Sequence, residues 1–217
     1  METPDIRCFQ HCDRQKNVLC FSVPKLCPIC DRGTSESAMR IPPYLIESPF
    51  TDGSYTQCAI LVKPTIGHFL FDFSNQSDLH ISLTNSRGQI YEFDERGVTV
   101  GRNDWSCCLS VYLECTDSSN MEMWDSTLDK FRTEHTWRMD RYDESTHNCY
   151  DFVIGFLRDS GVQRMYPCLK DKVAFCEEMI VPVTTRAGKY ISLYRTISTD
   201  GYVIQNVWDC CFNFRCA

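Results

Sequence analysis

The stretch Asp-Leu-His-Ile-Ser-Leu-Thr-Asn-Ser-Arg-Gly-Gln-Ile-Tyr-Glu-Phe, residues 78–93, contains two short alternating segments joined by a polar turn. Apolar and polar residues alternate over residues 79–83 and 89–93, a period that predicts two half-buried strands. The Asn-Ser-Arg-Gly sequence between them has the chemistry of a tight turn, so the stretch predicts an antiparallel β-hairpin. His80 and Glu92 are an even number of residues apart, and we therefore expect both side chains on one face of the sheet.

The other predicted elements extend this hairpin into a mixed fold. Further strands are expected over residues 58–62 and 106–113, with a second hairpin over residues 190–197 and 202–207 around Asp200-Gly201. Apolar residues at helical spacing predict helices over residues 120–135, from Cys149 to Gly161, and over residues 169–179. Strands and helices in this order indicate an α+β fold rather than a doubly wound parallel sheet.

The chain has two parts that differ in composition. Residues 1–35 form a cysteine-rich module that ends in a polar, turn-rich segment. Pro42-Pro43 and Ser48-Pro49 follow in an extended linker, because proline and the residue before it disfavour helix. Residues 45–209 are expected to form the larger α+β domain.

Composition and charge exclude several classes of partner. The 217 residues are 43% apolar, enough for folded cores, and the net charge of −7 disfavours a nucleic-acid or anionic-membrane partner. No stretch approaches the roughly 18 apolar residues of a membrane span. Residues Met1–Gln15 do not resemble a signal peptide. We therefore expect a cytoplasmic or nuclear protein, not a secreted one, that acts on or holds a protein or peptide.

The cysteines near the amino terminus predict a metal site. In a reducing compartment, clustered thiols indicate metal ligands rather than disulfides. Cys27-Pro-Ile-Cys30 is a C-x2-C knuckle, and Cys8, His11 and Cys12 lie upstream of it. Pairs of soft ligands about fifteen residues apart predict structural zinc, bound by Cys27, Cys30 and two of the three upstream residues. Zinc would supply folding free energy that so small a module cannot obtain from its core.

Two other interpretations of these cysteines remain open. In the first interpretation, the cysteines are buried thiols in a pair of strands, since free cysteine packs as a small hydrophobe. Alternatively they would be a redox pair, although this C-x-x-C does not open a helix in a βαβ unit. At the far end of the chain, Cys210, Cys211 and Cys216 are expected to pack or to lie in an unstructured tail.

Cys149 is the candidate nucleophile of the larger domain. It opens a predicted helix that either Thr146 or Asn148 can cap. In the first turn of a helix, the dipole and the unpaired amides favour a thiolate, the nucleophilic form of cysteine. His80 lies in the middle of a predicted strand and is the candidate base. His147 is more typical of a capping or surface residue.

Three motifs resemble those of the permuted papain-fold superfamily, which includes lecithin:retinol acyltransferase-like proteins and the PPPDE isopeptidases. They are Asp78-Leu-His-Ile-Ser-Leu, Gly88-Gln-Ile-Tyr-Glu-Phe and His147-Asn-Cys. The resemblance implies a mainly antiparallel papain-like sheet with packed helices, Cys149 as nucleophile and His80 as base. Glu92 occupies the position of a second histidine in the acyltransferase-like proteins, and its carboxylate would orient His80. The sequence departs from the acyltransferase-like pattern at Glu92 and from the isopeptidase pattern after Cys149. These two departures leave the substrate open.

A second resemblance, to the makorin-2 opposite-strand protein family, spans nearly the whole chain. The motifs that carry it are Ser77-Asp-Leu-His80, His147-Asn-Cys-Tyr150, His11-Cys12 with Cys27-Pro-x-Cys30, and Leu193-Tyr-Arg195. This resemblance implies a shared fold but no particular activity.

Three hypotheses about function follow. The first is a cysteine hydrolase with peptidase or isopeptidase-type thiol chemistry. The second is a catalytically inactive protein-interaction module stabilised by zinc. The third is a metal-handling or redox thiol protein. Thiol reactivity separates the first hypothesis from the second, and metal content informs the third.

Overall fold

A computed structural model describes residues 4–101, 104–113 and 118–209 of the chain. Its strands are β1 (Arg7–Gln10), β2 (Lys16–Cys20), β3 (Ile41–Leu45), β4 (Ala59–Pro64), β5 (Leu79–Thr84), β6 (Ile90–Asp94), β7 (Gly97–Val100), β8 (Leu109–Tyr112) and β9 (Tyr202–Asn206). Its helices are α1 (Ser118–Phe131), α2 (Cys149–Asp159), α3 (Lys172–Phe175) and α4 (Val181–Asp200), with a π-helical turn over Cys176–Ile180 between the last two. The predicted α+β class is confirmed.

The chain folds into two compact units. The first contains Met1–Ser48 together with Gly188–Ala217, and the second contains Pro49–Ala187. This division differs from the predicted one, residues 1–35 and 45–209, because both β3 and β9 pair with the strands of the amino-terminal segment.

The first unit is built on an antiparallel sheet with the strand order β3-β1-β2-β9. Phe9, Val18 and Cys20 form a fully buried cluster on it, against which Val23, Ile29 and Met39 pack. Strand β9 pairs along the whole of β2, from Lys16 opposite Asn206 to Cys20 opposite Tyr202. The last described strand therefore completes the sheet that the first strands begin.

The predicted hairpin over residues 190–207 is wrong in its first half. Residues 190–197 belong to helix α4, where Tyr190, Ile191, Tyr194 and Ile197 are buried at the three- and four-residue spacing of a helix face. Gly201, with φ of 82°, follows the helix and its amide donates to the carbonyl of Ile197, which is typical of a helix end. The second half is the predicted strand, but β9 pairs with β2.

The second unit is built on an antiparallel sheet with the order β7-β6-β5-β4-β8. The predicted hairpin is confirmed as β5 and β6, which pair at Leu83 opposite Tyr91 and Thr84 opposite Ile90. Helix α2 packs through Phe152 and Phe156, which contact Phe93 of β6 and Trp124 of α1 respectively. This packing fixes the start of α2 relative to the hairpin.

The remaining helix predictions hold in part. Helix α1 begins two residues before the predicted range of 120–135 and ends within it. Helix α2 begins at Cys149 and is followed by Gly161, as expected. The helix predicted over 169–179 is interrupted, because a 3₁₀ turn, α3 and the π-helical turn share that region. None of the helices in the described part of the chain has the length and apolarity needed to span a membrane.

The turn of the β5–β6 hairpin is held against another part of the backbone. Gly88 has φ of 74°, in the left-handed region, and a Cβ there would overlap the main-chain carbonyl oxygen of Ser54. Glycine is therefore required at this position both for the backbone conformation and for the close approach.

We predict that Gly88→Ala destabilises the protein more than Gly161→Ala does. Gly161 has a similar φ of 82°, but a Cβ there meets nothing within 4 Å, so its substitution costs only the left-handed strain of about 1–2 kcal/mol. Gly88→Ala must in addition displace the backbone at Ser54, which costs at least about 1 kcal/mol more. Urea unfolding of both variants measures the difference. Equal losses would mean that the approach to Ser54 is not a constraint.

Candidate functional site

Cys149 lies at the first position of helix α2, and a capping box holds this end of the helix. The Asn148 side chain accepts a hydrogen bond from the amide of Tyr150 at 3.0 Å, and the Asp151 carboxylate accepts from the amide of Asn148 at 2.9 Å. Lys172 Nζ lies 2.7 Å from Asp151 and fixes that carboxylate. Asn148, rather than Thr146, is the cap, and Cys149 is only 5% exposed.

His80 of β5 connects Cys149 to Glu92. Its Nε2 lies 3.2 Å from Glu92 Oε2, and its ring lines the same groove as Cys149, close enough for the two side chains to interact. The His80 side chain is 12% exposed and that of Glu92 is 2% exposed. The prediction that His80 and Glu92 share one face of adjacent antiparallel strands is confirmed.

Two further side chains hold Glu92. Thr99 lies directly opposite it on β7, and its hydroxyl donates to Glu92 Oε1 at 3.3 Å. Trp105 Nε1 donates to Glu92 Oε2, also at 3.3 Å, and the Trp105 ring lies 5.7 Å from that of His80. Lys63, opposite His80 on β4, places its ammonium 4.6 Å from the centre of the Trp105 ring.

These contacts decide the charge of His80. Burial alone would lower the pKa of His80, but the interactions of its ring with the Cys149 side chain and the Glu92 carboxylate raise this pKa to about 9. Burial opposes ionisation of Glu92 as well, yet its bond to His80, the charges of His80 and Lys63 and the bond from Trp105 lower the Glu92 pKa. The imidazolium and the carboxylate are therefore both charged at neutral pH.

An open groove of about 530 Å³ lies in front of this group. His80 and Cys149 line it together with the tyrosines Tyr142 and Tyr150. Burial, with the nearby Cys149 and several carboxylates, raises the pKa of Tyr142 to about 12, and burial also raises that of Tyr150. Both phenols are therefore neutral hydrogen-bond donors in the groove at physiological pH.

His147 belongs to the packing beside the helix start. Its Nε2 lies 3.0 Å from the carbonyl oxygen of Thr136, and its ring stacks on Trp137 with centroids 4.8 Å apart and planes 10° apart. The edge of its ring also meets Phe93. These contacts agree with the expectation that His147 is not the base.

In the first unit, His11, Cys12, Cys27 and Cys30 form a cluster that could bind a metal ion. One donor atom of each lies within 4.8 Å of the others. Cys12 Sγ and Cys27 Sγ are 4.0 Å apart, and Cys30 Sγ is 3.4 Å from His11 Nδ1. Tetrahedral zinc with Zn–S bonds of about 2.3 Å would set its ligand atoms about 3.8 Å apart, so the donor set fits.

The side chain of His11 is oriented for such a role. Its Nε2 lies 2.7 Å from Ser37 Oγ, which in turn donates to the carbonyl oxygen of Gly33 at 3.2 Å. With the Ser37 proton directed to Gly33, His11 Nε2 must carry the proton, and Nδ1 is left with a free lone pair towards Cys30. A hydrogen bond to the ring nitrogen that faces away from the metal fixes the tautomer of a metal-binding histidine.

The backbone around Cys27 and Cys30 donates hydrogen bonds to sulfur. The amide of Ile29 donates to Cys27 Sγ at 3.5 Å, and a bond from the Arg32 backbone lowers the pKa of Cys30 to about 7. Burial and the adjacent thiols instead raise the pKa of Cys12 to about 11. Unequal pKa values are expected when several thiols crowd one position, since only some can be charged without a cation.

The cluster contains Cys27, Cys30 and two of the three upstream candidates, His11 and Cys12, which are adjacent in sequence. Cys8, the remaining candidate, is fully buried in β1 outside the cluster. The carboxy-terminal Cys210, Cys211 and Cys216 lie outside the described residues.

Sequence reasoning missed three residues of these sites: Ser37, Thr99 and Trp105. A strand over residues 97–100 after a glycine turn would have placed Thr99 opposite Glu92. No local signal marks Ser37 or Trp105, since each reaches its partner from a segment without regular structure.

Comparisons with known proteins cover nearly the whole chain. Two family models match it, described as DUF4796 N-terminal over residues 4–32 and DUF4796 C-terminal over residues 43–197. The chain is 35% identical over 203 residues to the human MKRN2 opposite strand protein, a match that covers 91% of this chain and 88% of that protein. No solved structure matches significantly.

We predict that His80 titrates with a pKa of about 9 and that Glu92→Gln lowers this value by at least about one pH unit. The unfolded value is about 6.5, so His80 contributes its full stabilisation below pH 6.5 and loses it as pH rises to about 9. Histidine-selective NMR across pH measures the pKa, and urea unfolding across pH measures the stability. An unchanged His80 pKa in Glu92→Gln would contradict the charge pairing.

Proposed function

This chain belongs to the DUF4796 family, and we propose that the larger unit of the family fold is a cysteine-dependent hydrolase that cleaves an amide or isopeptide bond. The observation that carries the proposal is the position of one imidazole, His80, which is bonded to Glu92 and lines one groove together with Cys149. Cys149 acts as the nucleophile, His80 moves the proton and Glu92 orients His80.

We further propose that this unit has a permuted papain-like architecture. The histidine precedes the cysteine in sequence, as the resemblance to that superfamily implies. An antiparallel sheet carries His80 and Glu92, and a capped helix begins at Cys149. These features support the proposal because such an active site needs a thiol at a helix start facing an imidazole on a sheet.

In the first half of the reaction, Cys149 reacts as a thiolate beside the His80 imidazolium. The thiolate sulfur attacks the carbonyl carbon, and the carbonyl π electrons move to oxygen. The amide of Cys149, which has no carbonyl partner within the helix, would donate to that oxyanion. Collapse of the intermediate breaks the C–N bond, His80 donates its proton to the leaving amine, and a thioester remains on Cys149.

In the second half, water hydrolyses the thioester. Neutral His80 removes a proton from water as the water oxygen attacks the thioester carbonyl. The C–S bond then breaks, a carboxylic acid leaves, and the thiolate–imidazolium pair is restored. Glu92 keeps the imidazole oriented through Nε2 in both halves, which directs the other ring nitrogen to the reacting atoms.

We predict that Cys149 alkylates with iodoacetamide faster than the other described cysteines in the folded protein at pH 7. His80→Ala should slow this labelling at least about tenfold, because the positive charge that stabilises the thiolate is lost. His147→Ala is the matched control and should change the rate little, since that ring packs on Trp137. Mass-resolved peptide labelling measures each rate.

Labelling of Cys149 only after denaturation would contradict the hydrolase and leave the groove as a binding surface of an inactive interaction module. Fast labelling that His80→Ala does not change would retain an activated thiol but remove His80 as its partner.

For the first unit, we propose that His11, Cys12, Cys27 and Cys30 bind one structural zinc ion in a knuckle. The mixed thiolate–imidazole donor set, its near-tetrahedral spacing and the His11–Ser37 bond support this assignment. Four protein ligands would leave zinc no open position, so its role would be to stabilise the fold.

We predict about one zinc per chain in protein purified without chelator, and its loss in Cys27→Ser. Ser37→Ala should weaken zinc binding by about 10–100-fold, because His11 loses the bond that sets its tautomer. Ser35→Ala is the control, since this exposed serine does not contact His11. Elemental analysis and chelator competition measure both quantities. A folded protein that contains no zinc, or equal affinity in the Ser37 and Ser35 variants, would overturn the assignment.

A further inference from the structure

The groove in front of Cys149 has an unbalanced negative rim. Asp78 and Glu144 both line it and are both exposed. Neither carboxylate forms an ion pair with any residue that the structure describes. Each lies shortly before one member of the pair in sequence: Asp78 directly precedes β5, which carries His80, and Glu144 is in the loop before α2, which begins at Cys149.

Cations near the groove do not offset these two charges. No Lys or Arg is among the described residues that line it, and His80 is paired with the Glu92 carboxylate. The lysines of the neighbouring elements are also paired: Lys63 Nζ lies 2.8 Å from Asp104, and Lys172 Nζ lies 2.7 Å from Asp151. The groove therefore presents a net negative potential to whatever approaches the thiol.

The remaining lining is mostly polar, with Leu79 as its aliphatic residue. Thr65, Ser77 and Ser145 line the groove, and with the two tyrosines they offer hydroxyl groups. An alkyl chain would leave these groups without partners, at a cost in binding. A polypeptide backbone carries carbonyls and amides that can satisfy them, so the lining fits a peptide and not a fatty acyl chain.

We propose that the groove binds a cationic polypeptide segment, in which a Lys or Arg side chain next to the scissile acyl group reaches Asp78 and Glu144. This inference rests on the proposed hydrolase function and specifies its substrate class. The two carboxylates act as specificity-determining residues: they attract and orient the substrate but take no part in the proton transfers.

Charged thiol reagents test the potential at Cys149 without requiring turnover. Trimethylammonioethyl and sulfonatoethyl methanethiosulfonate each form a mixed disulfide with a thiolate and release methanesulfinate, but they carry opposite charges. We expect the cationic reagent to label Cys149 about tenfold faster than the anionic one in low salt, after normalisation to free N-acetylcysteine amide. High salt should reduce this ratio towards one.

Asp78→Asn and Glu144→Gln should each lower the ratio about threefold, and together they should abolish the preference. Glu122→Gln is the matched control and should leave it unchanged. That exposed carboxylate is on α1, two residues before Trp124. Trp124 packs on Phe156, which lies two turns, or about 10 Å, further along α2 than Cys149. In a second measurement, a hexalysine amide at millimolar concentration should protect Cys149 from iodoacetamide, and a hexaglutamate amide should not.

The outcomes separate this inference from the proposed function. Rapid labelling with a ratio near one, or equal protection by both peptides, overturns the cationic substrate and leaves the hydrolase intact. A high ratio without protection by hexalysine overturns the polypeptide assignment. Absence of labelling by either reagent in the folded protein overturns both, because substrate would not reach the thiol.

Discussion

The second unit depends on a buried ionic contact between His80 and Glu92. The side chains of His80 and Glu92 are only 12% and 2% exposed, so burying their charges costs folding free energy unless each charge has several partners. Thr99 and Trp105 satisfy the carboxylate, and the imidazole lines the groove beside Cys149. The order of the strands follows from this need, because Glu92 must have β5 on one side and β7 on the other.

The same constraint explains how much of the site could be predicted. The alternating pattern of the hairpin was sufficient to place His80 and Glu92 on one face, because a period of two leaves little freedom once one face is buried. The start of α2 at Cys149 was also readable, because an Asn cap with Asp three residues later marks a helix start. Trp105 was not, since its bond to Glu92 depends on tertiary packing alone.

The wrong prediction of a hairpin over residues 190–207 has a physical cause. Residues 190–197 alternate well enough to suggest a strand, but their apolar side chains also fit a helical face, and burial against the rest of the fold decides between the two periods. The Cys/His cluster includes both His11 and Cys12 because β1 ends at Gln10, so these residues lie in a bend where successive side chains can converge, whereas Cys8 lies inside the strand.

The pairing of β9 with β2 has a consequence for synthesis on the ribosome. Strands β1 and β2 emerge early, but the edge of β2 has no neighbour until residue 206 has left the exit tunnel. All of Pro49–Ala187 is made in the interval, so the inserted unit can fold while the surrounding one waits. An open strand edge during that delay invites pairing with other nascent chains. The four residues of the Cys/His cluster all lie within the first 30, so they leave the tunnel and can come together long before that partner strand is made.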